Sequence, residues 1–341
     1  MLQLHPPTAP APAPAAATST TARPASSLGL QVLAVDEVAR NILLLLDFRS
    51  IDGMLASIQC DDALRSYLLD STLWSELIAK HFGGCIPSEL RFLAVPQRER
   101  PWNWSDTERT CPELREFLRS GDEKAHFDRT VTVIRGDIGY ITEIDGTSAD
   151  GLGFPTNSHL TNHYIGAAAA IFKRAGNELA TYVSDPLFQG RRATGEAVVT
   201  PAFQAGVSKL IHCVGPRISQ PGCFQLLEHT YESLMNAVLR EDLKCVAIAS
   251  ISTGNMGIPA KEGAQVAMRL IQKFIRSTHW DGSLGIVCYE DAIFDAFEAE
   301  KQSVLTDFNA QPPLPANDEF ISPWMRQQTL GAHGLNLRRR D

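Results

Sequence analysis

The stretch Ile251-Ser252-Thr253-Gly254-Asn255-Met256-Gly257-Ile258-Pro259 carries the residue types of an anion cradle. A short apolar run, Cys245-Val246-Ala247-Ile248-Ala249, precedes it, and a helical pattern from Ala260 to Ile275 follows. Strand, glycine-bearing loop and helix in that order aim backbone N–H groups and a helix N-terminus at phosphate. An ordinary strand-to-helix turn has the same outline, so the loop alone decides nothing. Other side chains of chemical interest are Asp137, His159, His163, Glu196, His212 and Tyr289. Asp137 follows Gly136, a turn-forming pair. His159 and His163 are four apart, a spacing that suits one helical face or a metal pair, but no third ligand is evident. His212 lies mid-strand and reads as a core histidine, and Glu196 reads as a loop brace.

The elements that must position these residues alternate. Strand-like runs are expected at 130–134, 151–155, 195–201, 209–214, 245–251 and 285–289. Helical patterns are expected at 166–175, 225–240, 260–277 and 292–307. Helices so frequent between strands imply a three-layer α/β/α domain with a central sheet. It follows a region of short apolar helical periods between residues 30 and 90, ended by Gly83-Gly84. The segment 91–125 reads as a linker with one short helix from Pro112 to Arg119, in which Trp102 and Trp104 pack against a neighbouring domain. Residues 1–29 are an Ala/Pro-rich tail too poor in apolar surface to order itself. Residues 309–341 read as a flexible tail ending in Arg338-Arg339-Arg340-Asp341.

Four landmarks occur in order within residues 126–308. They are Arg135-Gly136-Asp137-Ile138; Pro155-Thr156-Asn157 with Tyr164-Ile165-Gly166-Ala167; Gly195-Glu196-Ala197-Val198-Val199-Thr200 with Ile211-His212-Cys213-Val214-Gly215-Pro216; and Ile251 to Pro259. Together they resemble the macro domain, an α/β module with a mixed central sheet that binds ADP-ribose. A diphosphate needs a backbone cradle on each side. Ile165, Gly166 and Ala167 can supply one, and Ser252, Thr253, Gly254, Asn255, Met256 and Gly257 the other, because small residues let the backbone approach closely. The resemblance makes Asp137 the acceptor for the exocyclic amine of adenine, with Ile138 beside it. It places Tyr289 near the adenosine half and Asn157 among the ligand contacts. The ligand then crosses the carboxyl ends of the strands, where open α/β sheets bind.

Hydrolytic members of that family carry an Asn-Ala-Ala-Asn run and then an Asp just before a helix. Here Phe154 occupies the first Asn position, and only Asn157 matches the second. The Asp position falls near Ala168, within Ala167–Ala170, where no carboxylate exists to activate water. This version is similar to the macro histone branch. The expectation is a binder with no catalytic residue, no metal and no cofactor, ADP-ribose being its ligand. The alternative is an ADP-ribosyl hydrolase that removes mono-ADP-ribose from proteins or metabolites.

Residues 34–83 resemble an F-box through Val35 to Leu43, Leu46-Asp47-Phe48-Arg49-Ser50-Ile51, Cys60 and Ser71-Thr72-Leu73-Trp74-Ser75-Glu76-Leu77. That resemblance implies a small all-α domain. Its Val38, Ile42 and Leu46 would meet a Skp-type adaptor of an SCF ubiquitin ligase. The combined expectation is a reader of ADP-ribosylated proteins that serves as a ligase substrate receptor. The composition is 44% hydrophobic within 341 residues, with a formal charge of −8, which disfavours a general nucleic-acid binder. The seven cysteines (60, 85, 111, 213, 223, 245, 288) include no C-x-x-C pair and fit reduced thiols. No apolar run approaches the ~18–20 residues that span a bilayer. The location expected from these features is the cytoplasm, the nucleus or both.

Overall fold

The computed structural model describes residues 35–60, 64–93, 110–188 and 190–316. The readings made for residues 1–29, for 317–341 and for Trp102 and Trp104 lie outside these residues. The expected start of a flexible tail at residue 309 is corrected: Asn309 is buried and hydrogen-bonded to Gly84 and Ser120, and Leu314 packs against the core. The sheet is built from β1 (Val131–Arg135), β4 (Gly151–Pro155), β5 (Ala197–Pro201), β6 (Lys209–Cys213), β7 (Cys245–Ala249) and β8 (Ser283–Cys288). Its order is β1-β8-β7-β4-β6-β5, parallel throughout except for β5, which runs antiparallel to β6. A small antiparallel pair, β2 (Glu143–Ile144) and β3 (Thr147–Ser148), stands apart. The α/β fold with a mixed central sheet is therefore present.

Both faces of the sheet are covered, so central strands such as Cys245-Val246-Ala247-Ile248-Ala249 are apolar throughout. Val246 and Ile248 join one core with α8 (Cys223–Arg240), α9 (Ala260–Thr278) and α10 (Asp291–Thr306). Cys245, Ala247 and Ala249 join a second core with α6 (Gly166–Ala175) and α7 (Asn177–Val183). This is the two-residue period of a strand. The α6 bounds coincide with the sequence expectation. Gly176, at φ +81°, allows the turn that ends it.

The N-terminal region holds α1 (Asp36–Leu45), α2 (Phe48–Cys60), α3 (Ser71–Phe82) and the single turn α4 (Ser88–Arg91). Asp70 caps α3 by accepting from the N–H of Thr72 and of Leu73, and Gly83 closes it in the left-handed conformation. On α1, Ala39 and Leu43 face inward, while Val38 is 40% and Leu45 83% exposed. Ile42 is half-buried. Leu46 corrects the expected outward set, because it packs against the core and Leu45 stands outward instead.

The helix expected at 112–119 runs much further, as α5 (Pro112–Thr130), and leads directly into β1. Its charged sequence concealed a buried face of Leu114, Phe117, Leu118 and Phe127. Phe48 lies on Gly121, where any Cβ would collide with the ring, and it stacks at 5.3 Å from Phe117. The N-terminal helices thus share one continuous core with α5, α9, α10 and Phe308. Polar contacts reinforce the junction. Arg276 donates from Nε to Glu123 at 2.8 Å and from its terminal nitrogen to Asn309 at 3.0 Å. Asn309 in turn donates to Gly84 O and Ser120 Oγ.

Candidate functional site

Parallel pairing brings the ends of β1, β8, β7, β4 and β6 to one edge of the sheet. The reversed β5 begins there as well. Crossing that edge from β1, one meets Asp137, Tyr289, the loop 250–259, the loop 156–165, residues 214–222 and residues 190–196. Sequence-distant residues are gathered by topology alone.

At the first position Asp137 caps a short 3₁₀ turn, Ile138–Tyr140, accepting from Gly139 N at 2.8 Å through one carboxylate oxygen. The other oxygen makes no hydrogen bond to the described residues. Turn former and available acceptor are therefore compatible roles. Ile138 places its side chain in the core. Arg174 of α6 braces this turn from below, donating to Ile141 O at 2.6 Å and to Ile138 O at 3.4 Å. Tyr289 is 76% exposed beside it.

The central loop has an unusual backbone. Ser252 holds φ +65°, a left-handed conformation uncommon outside glycine. Ile251 N donates to the hydroxyl of the fully buried Tyr231 at 3.0 Å, and Ile258 N donates to Ser252 O at 3.1 Å. Between these anchors the amides of residues 252–256 donate to no other described group. The hydroxyls of Ser252 and Thr253 are buried and also lack partners. The two buried hydroxyls are costly unless an acceptor serves them, and the amides beside them are free to donate. Gly215 makes the arrangement possible: a Cβ there would lie 2.6 Å from Ile251 Cγ2 and closer still to Ser252 Oγ. Opposite stands the uncapped start of α6, where Ile165 is extended and Gly166 sits at φ +61°. The first amides of that helix are open.

The sequence pattern of the macro domain family matches residues 155–267. A Fusobacterium nucleatum protein of uncharacterised function is 34% identical over 152 residues, covering 44% of this chain and 81% of that one. The chain belongs to the macro domain family. An O-acetyl-ADP-ribose deacetylase of Salmonella gallinarum is 34% identical over 105 residues, which is 30% of this chain and 59% of the deacetylase. Among solved structures, the Oceanobacillus iheyensis macrodomain with ADP is 25% identical over 51% of this chain and 90% of that one, with a TM-score of 0.46. The Trypanosoma brucei macrodomain in complex with ADP is 17% identical over 78% and 94%, with a TM-score of 0.45.

Other expected residues of this macro domain are placed as follows. Asn157 is exposed but uses its side chain within its own loop, accepting from the N–H of His159 at 3.1 Å and of Thr161 at 3.0 Å. His163 stacks on Tyr164 with ring centroids 3.9 Å apart, and His159 is exposed. Ala168 is buried in the core of α6. His212 is buried beside the Phe154 ring and meets Thr200 Oγ1 at 3.0 Å. Burial pushes its pKa down to about 3. Tyr231, Arg174 and Gly215 escaped sequence reasoning. Gly215 had a readable signal, since a glycine between Val214 and Pro216 at a strand end marks close backbone approach. A cavity of about 160 Å³ lies elsewhere, between α4, α9 and residues 308–314, and shares no residue with this edge.

Proposed function

We propose that this macro domain binds ADP-ribose across the sheet edge. The observation that carries the reading is the run of unpartnered amides at residues 252–256, held between the Tyr231 and Ile258 anchors and facing the open start of α6. A diphosphate supplies the acceptors these groups lack. Asp137 then takes the adenine amine and Tyr289 covers the adenosine half. Ile138, Asn157, Ile165, Gly166, Ala167 and Gly257 complete the surround. Calorimetry with ADP-ribose, ADP and AMP tests this. Tightest binding of ADP-ribose is expected, and equal affinity for all three would remove recognition of the distal ribose.

The finer reading is a reader rather than a hydrolase, acting as the substrate receptor of an SCF-type ubiquitin ligase. No carboxylate lies within residues 167–170, and among the described residues the α1 face presents Val38 and Leu45 outward, which suits helix-on-helix docking of a Skp-type adaptor. Pull-down of a purified Skp-type adaptor by the full chain tests the receptor role, and no capture would end it while leaving the nucleotide site intact. The name of the Salmonella relative favours a second reading, removal of an acyl group from ADP-ribose. Incubation with O-acetyl-ADP-ribose and with mono-ADP-ribosylated protein separates the two. Release of free ADP-ribose at enzymatic rates from either substrate would overturn the reader.

A further inference from the structure

The strand order fixes the direction in which a bound ligand lies. With its base at Asp137 after β1 and its diphosphate between the β7 and β4 loops, the distal ribose points toward β6 and β5. From β1 to β6 is four strand spacings, about 19 Å. What stands at that far end is cationic. Arg191 and Arg192 precede β5, and Arg217 follows β6.

Hydrogen bonds knit these loops into one rim. Arg192 N donates to Ser158 O at 2.8 Å, and Gly195 N to Val214 O at 2.9 Å. Gln220 donates to Thr194 Oγ1 at 3.2 Å and accepts from Arg217 N at 2.7 Å. Ile218 N donates to Met256 O, at the edge of the phosphate cradle. Arg191 and Arg217 are exposed, and Arg192 is half-buried with its Nε inside the wall and without a partner. Elsewhere Arg40, Arg119, Arg135, Arg269 and Arg276 each face a carboxylate, while Arg49, Arg115, Arg129 and Arg174, scattered over the surface or held by carbonyls, pair with none among the described residues. Arg191, Arg192 and Arg217 have no ion pair among the described residues. In a chain of charge −8, three free guanidinium groups at one mouth are a local reversal of sign. Acidic residues on the same segments are Asp185 and Glu196 before β5, and on α8 Glu232, which is paired with His229 at 3.3 Å.

Building on the ADP-ribose reading, we propose that this rim binds the acidic polypeptide to which the ADP-ribose is attached. Guanidinium forks suit carboxylates. A polypeptide fits better than a further nucleotide unit because, among the described residues, β5 is an edge strand, hydrogen-bonded on one side only. An extended chain leaving the distal ribose passes along that edge.

Fluorescence anisotropy with the full chain tests the proposal. The probes are ADP-ribose, an ADP-ribosylated peptide with Asp/Glu flanks, the same peptide with Asn/Gln flanks, and a short ADP-ribose polymer without peptide. The acidic peptide is expected to bind about tenfold more tightly than the neutral one, the reach of three exposed charge contacts. That gain shrinks toward onefold in 1 M salt and in the triple variant Arg191→Gln, Arg192→Gln, Arg217→Gln, while affinity for ADP-ribose stays within about twofold. Equal binding of acidic and neutral peptides by the unaltered protein overturns the proposal, whatever the variant's folding. A gain confined to the polymer overturns it in favour of a nucleotide subsite. No binding of any probe removes the ADP-ribose reading itself.

Discussion

Tyr231→Phe isolates the support beneath the phosphate loop. The ring is fully buried, and only its hydroxyl is lost, so the shape of the core persists. Ile251 N then has no acceptor, since the Tyr231 hydroxyl at 3.0 Å is the one it uses. A buried amide left unpaired costs about 1–3 kcal/mol. If the loop keeps its course, folding stability bears that cost. If it swings Ile251 toward water, the cradle at residues 252–256 is displaced, and the ligand must restore it. At about 1.4 kcal/mol per decade, the second route weakens ADP-ribose binding by roughly 5- to 150-fold. Val238→Ala is the control, because it removes two carbons from the same helix and the same core, at a cost of about 1.5 kcal/mol or more. Calorimetry and urea denaturation of both variants make the comparison. The expected result is binding weakened at least fivefold in Tyr231→Phe and less than twofold in Val238→Ala, with the larger loss of stability in Val238→Ala. Unchanged affinity in both would refute the reasoning, because the loop would then hold its course through Gly215 and the Ser252–Ile258 bond alone.

The remaining predictions use the same two assays. Asp137→Ala removes a charged acceptor worth about 1.5–3 kcal/mol, so ADP-ribose binding falls roughly 10- to 150-fold; an unchanged constant by calorimetry would assign Asp137 to the turn alone. Gly215→Ala drives a methyl group against Ile251 and Ser252 and lowers affinity at least about tenfold, and a bound loop unmoved by this change would contradict the close approach. Glu123→Ala strands Arg276 in the core and costs about 3–5 kcal/mol in urea denaturation; a loss below 1 kcal/mol would show the pair to be dispensable. For His212 the folded imidazole resists protonation down to about 3, while the unfolded one takes up a proton near 6.5. The unfolded state therefore binds more protons between those values, and stability falls as pH drops through that window. From pH 7 to pH 5 the loss is about 2 kcal/mol, and it should be absent from the pH dependence of His212→Gln.

Legibility followed the physics of each element. The strands from Gly151, Lys209 and Cys245 were readable because short apolar runs between turn residues have few other meanings. The charge-dense sequence from Pro112 to Thr130 offered no such outline: its Glu123 is buried against Arg119 and Arg276, and burial of a carboxylate cannot be read from the residue alone. The candidate site was readable where the backbone demands a residue type, as at Gly166 and Gly257, both at positive φ. It was unreadable where a side chain acts through a distant backbone. Tyr231 looks like any core position of an amphipathic helix until the fold brings its hydroxyl to Ile251. Arg174 looks like a basic residue in a last helical turn until Ile138 and Ile141 arrive above it.

These same contacts bear on how the N-terminal helices relate to the candidate site. An adaptor module on a tether would sample many orientations. Here α5 carries Phe117 and Gly121 in the core of the helical region, Glu123 in the Arg276 network, and then becomes β1 without an intervening loop. Six residues after that strand begins stands Asp137. Opposing the bending of this connection are the Asn309 bonds to Gly84 and Ser120 and the packing of Phe308 against Phe127. Whatever meets the outward face of α1 is therefore held at a set distance and angle from whatever occupies the sheet edge. On the receptor reading proposed above, such a fixed geometry would confine transfer to target residues within reach of the partner, and the buried Glu123–Arg276–Asn309 network would then set that reach as well as stability.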